Sequence, residues 1–336
     1  MAMQKSSSNT VSQMLVKPKH EQSGIALRDD SLFIEAAWLY YHNGLNQNEI
    51  AKRMQISRAS VVNYLGEARK RGWIRVYLDE DVFLGQQLSE ELCSAFGLKE
   101  ALVVPDDTLA AANDVTRVTR AAADWLPRLL EPGDLLGVSW GETIYSLAQQ
   151  STRCPVEELT VVQLLGSRPA APGFAAEACT TLLAQKLDGY CINLHVPLLL
   201  SSKSVRDMLC EEPVVVEQLN ALAATNKVLF ACGTCVADAH VVQTGLIDGR
   251  NIKHYIDRGA VGVICGRLID ADGNPVVADT EERMIGVTLD QMRNKETALL
   301  VAAGAGRAVS ARAAINGGFV THLATSSSIA RELLGT

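Results

Sequence analysis

Ser57-Arg-Ala-Ser-Val-Val-Asn-Tyr-Leu-Gly-Glu-Ala-Arg-Lys-Arg71 is bounded by a residue that can start a helix and followed by Gly72, which can end one. A serine at a helix start accepts a hydrogen bond from an orphan backbone N–H. Glycine adopts the positive φ of a helix stop without strain. Val61, Val62, Leu65 and Ala68 recur at helical spacing, which predicts one face packed inward. Arg58, Ser60, Asn63 and Tyr64 fall at the helix start or on its outer faces, where such side chains meet base edges or phosphates.

Working outward, Asn46-Gln-Asn-Glu49 reads as a capping box opening a helix over Gln47–Met54, with Ile50, Ala51 and Met54 on one side. Gln55-Ile56 is a tight turn into the second helix. Two short helices so joined, the second capped and polar-faced, form the helix-turn-helix pattern. Ser31–His42 supplies a helix to pack behind them, with Leu32, Phe33, Ala36, Ala37, Leu39 and Tyr40 at helical spacing. Between Asn46 and Arg75 stand Lys52, Arg53, Arg58, Arg69, Lys70, Arg71 and Arg75 against Glu49 and Glu67, whereas the whole chain carries −7. A local basic patch on an acidic chain points to a polyanion bound through one module. Arg53, Arg58, Lys70 and Arg71 are the expected phosphate contacts. Arg58, Ser60 and Asn63 are the expected base readers, and Ser57 and Tyr64 complete the set.

A chain of 336 residues predicts more than one domain. Residues 1–29 are rich in Ser, Gln and Lys and read as a flexible tail, residues 30–80 as the helix-turn-helix domain, and residues 81–336 as an effector-binding and oligomerisation domain. Asp79-Glu-Asp81 marks the break. Trp73–Leu78 alternates as a short strand, and Leu84–Phe96 is helical. No apolar run is long enough for a membrane helix, no signal-peptide core is present, and eight scattered cysteines fit a reducing cytoplasm. Cys232-Gly-Thr-Cys235 lacks the second ligand pair that zinc needs, so no metal or cofactor is expected.

From Glu100 onward, apolar β-type runs alternate with helices. Strands are expected at Ala101–Val104, Leu135–Val138, Thr160–Leu165, Cys191–Leu194, Lys227–Ala231, Gly262–Cys265, Ala298–Ala302 and near Phe319–Ala324. The intervening helices are expected at Ala112–Leu130, Glu142–Gln149, Ala175–Leu187 and Ser310–Asn316. Such alternation implies an α/β architecture, a doubly wound, mostly parallel sheet with helices on both faces. In these sheets ligands sit at the carboxyl ends of the strands.

A strand runs into Ser139-Trp-Gly-Glu-Thr143 and a helix follows. Free N–H groups, two hydroxyls and a glycine suit a phosphate or polyol, and Trp140 can cover a sugar face. Gly166, Ser167 and Arg168 follow the next strand, Gly233 and Thr234 another. Asp270, in Asp270-Ala-Asp-Gly-Asn274, can bind sugar hydroxyls, although D-G-N commonly makes a surface turn. Gly304-Ala-Gly-Arg307 lacks a third glycine, Val309 standing there, so the dinucleotide fingerprint fails. Arg307 is read as a cation facing an anionic ligand.

From Asp30 to its end the chain resembles the SorC family of sugar-responsive bacterial transcriptional regulators. Leu45-Asn-Gln-Asn-Glu-Ile-Ala51 and Ile56-Ser-Arg-Ala-Ser-Val61 are similar to that family's DNA-binding module. Gly137-Val-Ser-Trp-Gly-Glu-Thr143 is similar to its effector phosphate loop, and Gly262–Gly273 and Ala313–Leu334 to further patterns. The resemblance implies an effector domain related in fold to sugar-phosphate isomerases and deaminases. It also implies a homodimer or homotetramer on double-stranded operator DNA, controlled by a sugar, polyol or sugar phosphate as repressor or activator. Asn63, Val263, Ala303, Arg307 and Ser326 depart from the family pattern. An enzyme built on the same fold would need an acid/base set, for which Glu142, Asp270 and Asp272 are the candidates. A redox sensor would use Cys232 and Cys235.

Overall fold

The computed structural model describes residues 27–74, 80–106, 114–168, 174–236 and 239–336. The chain divides into two units, one ending at Leu78 and the other beginning at Asp79. The tail expected at residues 1–29 lies almost wholly outside the described residues, as does most of the strand expected at Trp73–Leu78; Trp73 and Ile74 are irregular.

In the first unit, helices α1 (Leu27–Tyr41), α2 (Gln47–Met54) and α3 (Arg58–Lys70) enclose a small core of Ala36, Ala37, Leu39, Ile50, Val61, Leu65 and Ala68. The local chemistry is as expected. Asn46 Oδ1 accepts from the N–H groups of Asn48 (3.0 Å) and Glu49 (3.1 Å), and the Glu49 carboxylate accepts from the Asn46 N–H at 2.8 Å. Ser57 Oγ accepts from the Ser60 N–H at 3.0 Å. Past α3, Gly72 has φ +71°, its N–H donates to Arg69 and the Trp73 N–H to Ala68, a Schellman stop. One inward assignment fails. Val62 points out, 48% exposed, because the buried face of α3 is made by Val61, Leu65 and Ala68, with Tyr64 packed beside them.

The second unit runs α4 (Glu80–Phe96), β1 (Glu100–Val104), α5 (Asp114–Trp125), β2 (Leu135–Val138), α6 (Glu142–Gln150), β3 (Thr160–Gln163), α7 (Ala176–Leu187) and β4 (Tyr190–Ile192). It continues with α8 (Lys203–Glu211), α9 (Pro213–Ala223), β5 (Lys227–Phe230), β6 (Cys232–Thr234), α10 (His240–Gln243), α11 (Ile252–Asp257), β7 (Gly262–Ile264) and β8 (Arg267–Ile269). It closes with α12 (Leu289–Met292), β9 (Thr297–Ala302), α13 (Arg307–Asn316), β10 (His322–Ser326) and α14 (Ser327–Leu334). The helix expected over Ala112–Leu130 becomes α5 and a 3₁₀ turn carrying Pro127, whose missing N–H breaks the α ladder. The last strand starts later than expected, and α13 begins at Arg307, not Ser310.

Seven strands form one sheet in the order β1-β10-β9-β5-β2-β3-β4, every pairing parallel. Each residue of β5, β9 and β10 is buried, as a sheet covered on both faces requires. A correction concerns Gly262–Cys265. This strand belongs to a separate antiparallel sheet, β6-β7-β8, whose other two strands the sequence reading did not foresee. From β2 the chain winds outward through β3 and β4 to one edge, and from β5 through β9 and β10 toward the other. The order therefore reverses between β2 and β5, which places the topological switch point, and with it a ligand crevice, at the carboxyl ends of those two strands.

Candidate functional site

A cavity of about 360 Å³ opens at that crevice. Ser139, Trp140, Gly141, Glu142 and Thr143 line it from the end of β2 and the start of α6, Gly233 and Thr234 from β6, and Arg307 from the start of α13. Ser139 is buried at the strand end, its N–H donating to the Leu229 carbonyl of β5 at 2.9 Å. Gly141 holds φ +108° just before α6, yet a Cβ there would meet nothing within 4 Å. Conformation, and not space, requires that glycine. Arg307 Nη1 donates to the Cys232 carbonyl at 3.2 Å, and Ser310 Oγ donates to Cys232 Sγ at 3.3 Å.

Arg168 does not line the cavity but lies over the Trp140 ring, its guanidinium carbon 5.9 Å from the ring centre, and burial lowers its pKa. Gly166 and Ser167 do not line the cavity. The Gly166 N–H donates to Ile285 and the Ser167 N–H to Val196, and a Cβ on Gly166 would lie 2.7 Å from the Leu198 backbone. Asp270 is likewise elsewhere. Its Oδ1 accepts from the N–H groups of Asp272 (3.0 Å) and Asn274 (2.8 Å), so the carboxylate closes its own surface turn. The three carboxylates that an enzyme reading would use are not brought together, since neither Asp270 nor Asp272 lines the cavity with Glu142.

His240, at the start of α10, was not marked by any motif. Its ring lies 5.3 Å from that of Trp140 on the cavity lining. Partial burial lowers its pKa, the charges of Arg168 and Arg307 lower it further, and Glu142 opposes them. The cavity thus gathers the Arg307 cation, the Glu142 carboxylate, the His240 imidazole, an indole face and hydroxyls, with Arg168 beside Trp140 outside the lining. That set suits a polyhydroxylated ligand with an anionic group. Burial raises Cys232 and Cys235 and pushes Cys265 up to about 12. Buried protonated thiols are poor nucleophiles, which weighs against a redox role.

In the first unit, Arg53, Arg58, Asn63 and Lys70 are exposed. Arg58 Nε donates to Gln47 Oε1 at 3.3 Å, and Lys70 pairs with Glu67 at 2.9 Å. Ser57 and Ser60 are occupied by the cap, their hydroxyls 2.9 Å apart. Two expected contacts also have partners within the unit. Tyr64 packs its ring 5.0 Å from that of Phe33. Arg71 is ion-paired with Asp30 and lies 4.8 Å from the Phe33 ring centre and 5.1 Å from that of Trp73. Both brace α3 against α1 and the segment after α3.

Comparison with known proteins bears on both units. The family model described as "Putative sugar-binding domain" matches residues 81–335, and the MarR family model matches residues 36–81. The transcriptional regulator YjhU of Escherichia coli K12 is 34% identical, the match covering 94% of this chain and 97% of that one. The transcriptional regulator LsrR of Klebsiella pneumoniae is 31% identical over 96% of this chain and 99% of its own. The crystal structure of the full-length sorbitol operon regulator SorC from Klebsiella pneumoniae superposes with a TM-score of 0.71 at 23% identity, covering 90% of this chain and 98% of that one. With a helix-turn-helix unit, a sugar-binding unit and full-length relatives that regulate transcription, the chain belongs to the SorC family of sugar-binding transcriptional regulators.

Proposed function

We propose that this transcriptional regulator binds a sugar, polyol or sugar phosphate in the cavity between β2 and β5, and that the ligand changes its affinity for operator DNA. The observation carrying this reading is the meeting of Trp140, Glu142, Thr143 and Arg307 at the topological switch point. SorC is, by its name, a regulator of a sorbitol operon, which favours a polyol-related effector here too. The cavity is read as a binding site without turnover. The chain acts as a homodimer or homotetramer, because one helix-turn-helix makes too few contacts for specific affinity. Two copies of α3 would enter successive major grooves, with Arg53, Arg58 and Lys70 on phosphates and Arg58 and Asn63 on base edges.

The test is a thermal-shift screen of the full chain against free sugars, polyols and their phosphates, followed by operator titrations with and without each hit. A ligand at 100 times its Kd stabilises the fold by about 2.7 kcal/mol. Thr143→Val should weaken the hit without lowering the melting temperature of the free protein. A hit whose affinity is the same in Thr143→Val and Arg307→Gln would locate effector binding elsewhere.

A further inference from the structure

Val62 is the one large apolar side chain that α2 and α3 leave in solvent. It makes no part of the module's core, which α3 reaches through Val61, Leu65 and Ala68. On the helix surface it lies one turn beyond Arg58 and Ala59 and next to Asn63, all three exposed. This is the amino-terminal half of α3, the part of a recognition helix that meets base edges. Arg58 and Asn63 offer the groove hydrogen-bond donors and acceptors, and Val62 offers it only an isopropyl group.

The floor of the major groove has one apolar feature, the C5-methyl of thymine. A half-exposed valine between two base-reading side chains gains from burial only where it meets such a methyl. Opposite any other base edge it would desolvate a polar atom without a hydrogen bond. We infer that Val62 packs against a thymine methyl in each operator half-site and so fixes a T·A pair at a position where no hydrogen bond specifies it. The inference rests on α3 entering the major groove.

Uracil differs from thymine only by that methyl, so the test alters the DNA and leaves the protein fold untouched. Operator duplexes are selected from a random pool with the full-length protein. Each thymine is then replaced by uracil and binding is measured by fluorescence anisotropy. Wild type should lose about fourfold in affinity at one position per half-site, the equivalent of about 0.8 kcal/mol for one methyl group. Val62→Ala should bind the thymine operator correspondingly more weakly and show no uracil effect there, with its melting temperature not lowered and its affinity for random DNA unchanged. Wild type indifferent to uracil at every position overturns the proposal, as does Val62→Ala retaining the uracil effect. A change in oligomeric state on Val62→Ala, with no change in base preference, would overturn it in favour of a protein contact. Failure to select any duplex would count against DNA entry by α3 itself, a separate outcome.

Discussion

Gly66→Ala should move stability and DNA affinity in opposite directions. Gly66 stands inside α3 with ordinary helical geometry, one turn past Val62 on the outward side. Inside a helix glycine is about 0.8–1.0 kcal/mol less favourable than alanine. The fold gives no return for that loss, since a Cβ at Gly66 would meet nothing within 4 Å. Alanine should therefore stabilise the first unit by about 1 kcal/mol, which for a small domain is a rise of roughly 4–8 °C in melting temperature. The glycine is explicable if the missing methyl makes room outside the protein, where α3 lies against the duplex. A methyl there would lift the helix and stretch its base contacts. Operator affinity should then fall roughly tenfold, about 1.4 kcal/mol, within the 1–3 kcal/mol that a lost base contact costs. Thermal melts give the first quantity and anisotropy titrations at fixed salt the second. A stabilised variant that binds its operator as wild type does would refute the groove argument. A destabilised one would refute the reading of open space around α3.

Three further outcomes follow from the second unit. Arg307→Gln should weaken a phosphorylated effector by roughly 10- to 100-fold, about 1.5–3 kcal/mol for a charged hydrogen bond, while leaving its unphosphorylated parent nearly unchanged in calorimetry. Burial and then the charges of Arg168 and Arg307 lower His240, and an anion at Arg307 would offset the charge part, so its pKa should rise on binding. Binding then takes up a proton, and affinity should grow as pH falls through the region below 6.5, a component that His240→Gln should abolish. Deep in the fold, Lys227 and Asp134 form an ion pair at 2.7 Å, both side chains 5% exposed. Lys227→Met should cost about 3–5 kcal/mol in urea unfolding by stranding the carboxylate. Burial works against ionising Asp134, but hydrogen bonds from Lys227, the Glu131 N–H and Asn226 prevail and lower its pKa. Its stabilisation should thus be complete above the ordinary carboxylate value of 3.8 and fade as pH falls through the lower folded value.

What was legible in the sequence was local. The capping box at Asn46, the cap at Ser57 and the stop at Gly72 each depend on residues within four positions, and all three form as read. The parallel strands were legible because burial on both faces makes β5 apolar after Lys227 and β9 apolar after Thr297. Reading failed where partners are distant. Helical spacing admits Val61 or Val62 to the core, and the direction of approach of α1 decides for Val61. Arg71 stays at the surface, but its partner Asp30 lies 41 residues earlier, and no local pattern announces that pair. The strands β6 and β8, of three residues each, are too short for periodicity to reveal, so the antiparallel sheet around β7 was not legible. Asp270 had two local uses in view, and the turn claimed its carboxylate. His240 reaches the cavity only because the chain after β6 returns to Trp140, which no neighbouring residue announces.

The cavity wall suggests where an effector could exert force. Arg307 belongs to α13, at the carboxyl end of the large sheet, but its guanidinium donates to the Cys232 carbonyl of the small sheet. The two layers are thus tied through a side chain that also lines the cavity. An anionic ligand drawing on that guanidinium would compete with the carbonyl, since a charged acceptor makes the stronger hydrogen bond. Ser310 would still hold Cys232 through its sulfur, so the strand would be loosened at one atom and not released. A neutral sugar, lacking the charge to compete, would fill the cavity and leave the tie intact. Only the ligand that discriminates between two arrangements of these layers can shift their populations, however tightly the other binds. By the same linkage, operator DNA must change the effector's affinity by the factor with which the effector changes the operator's.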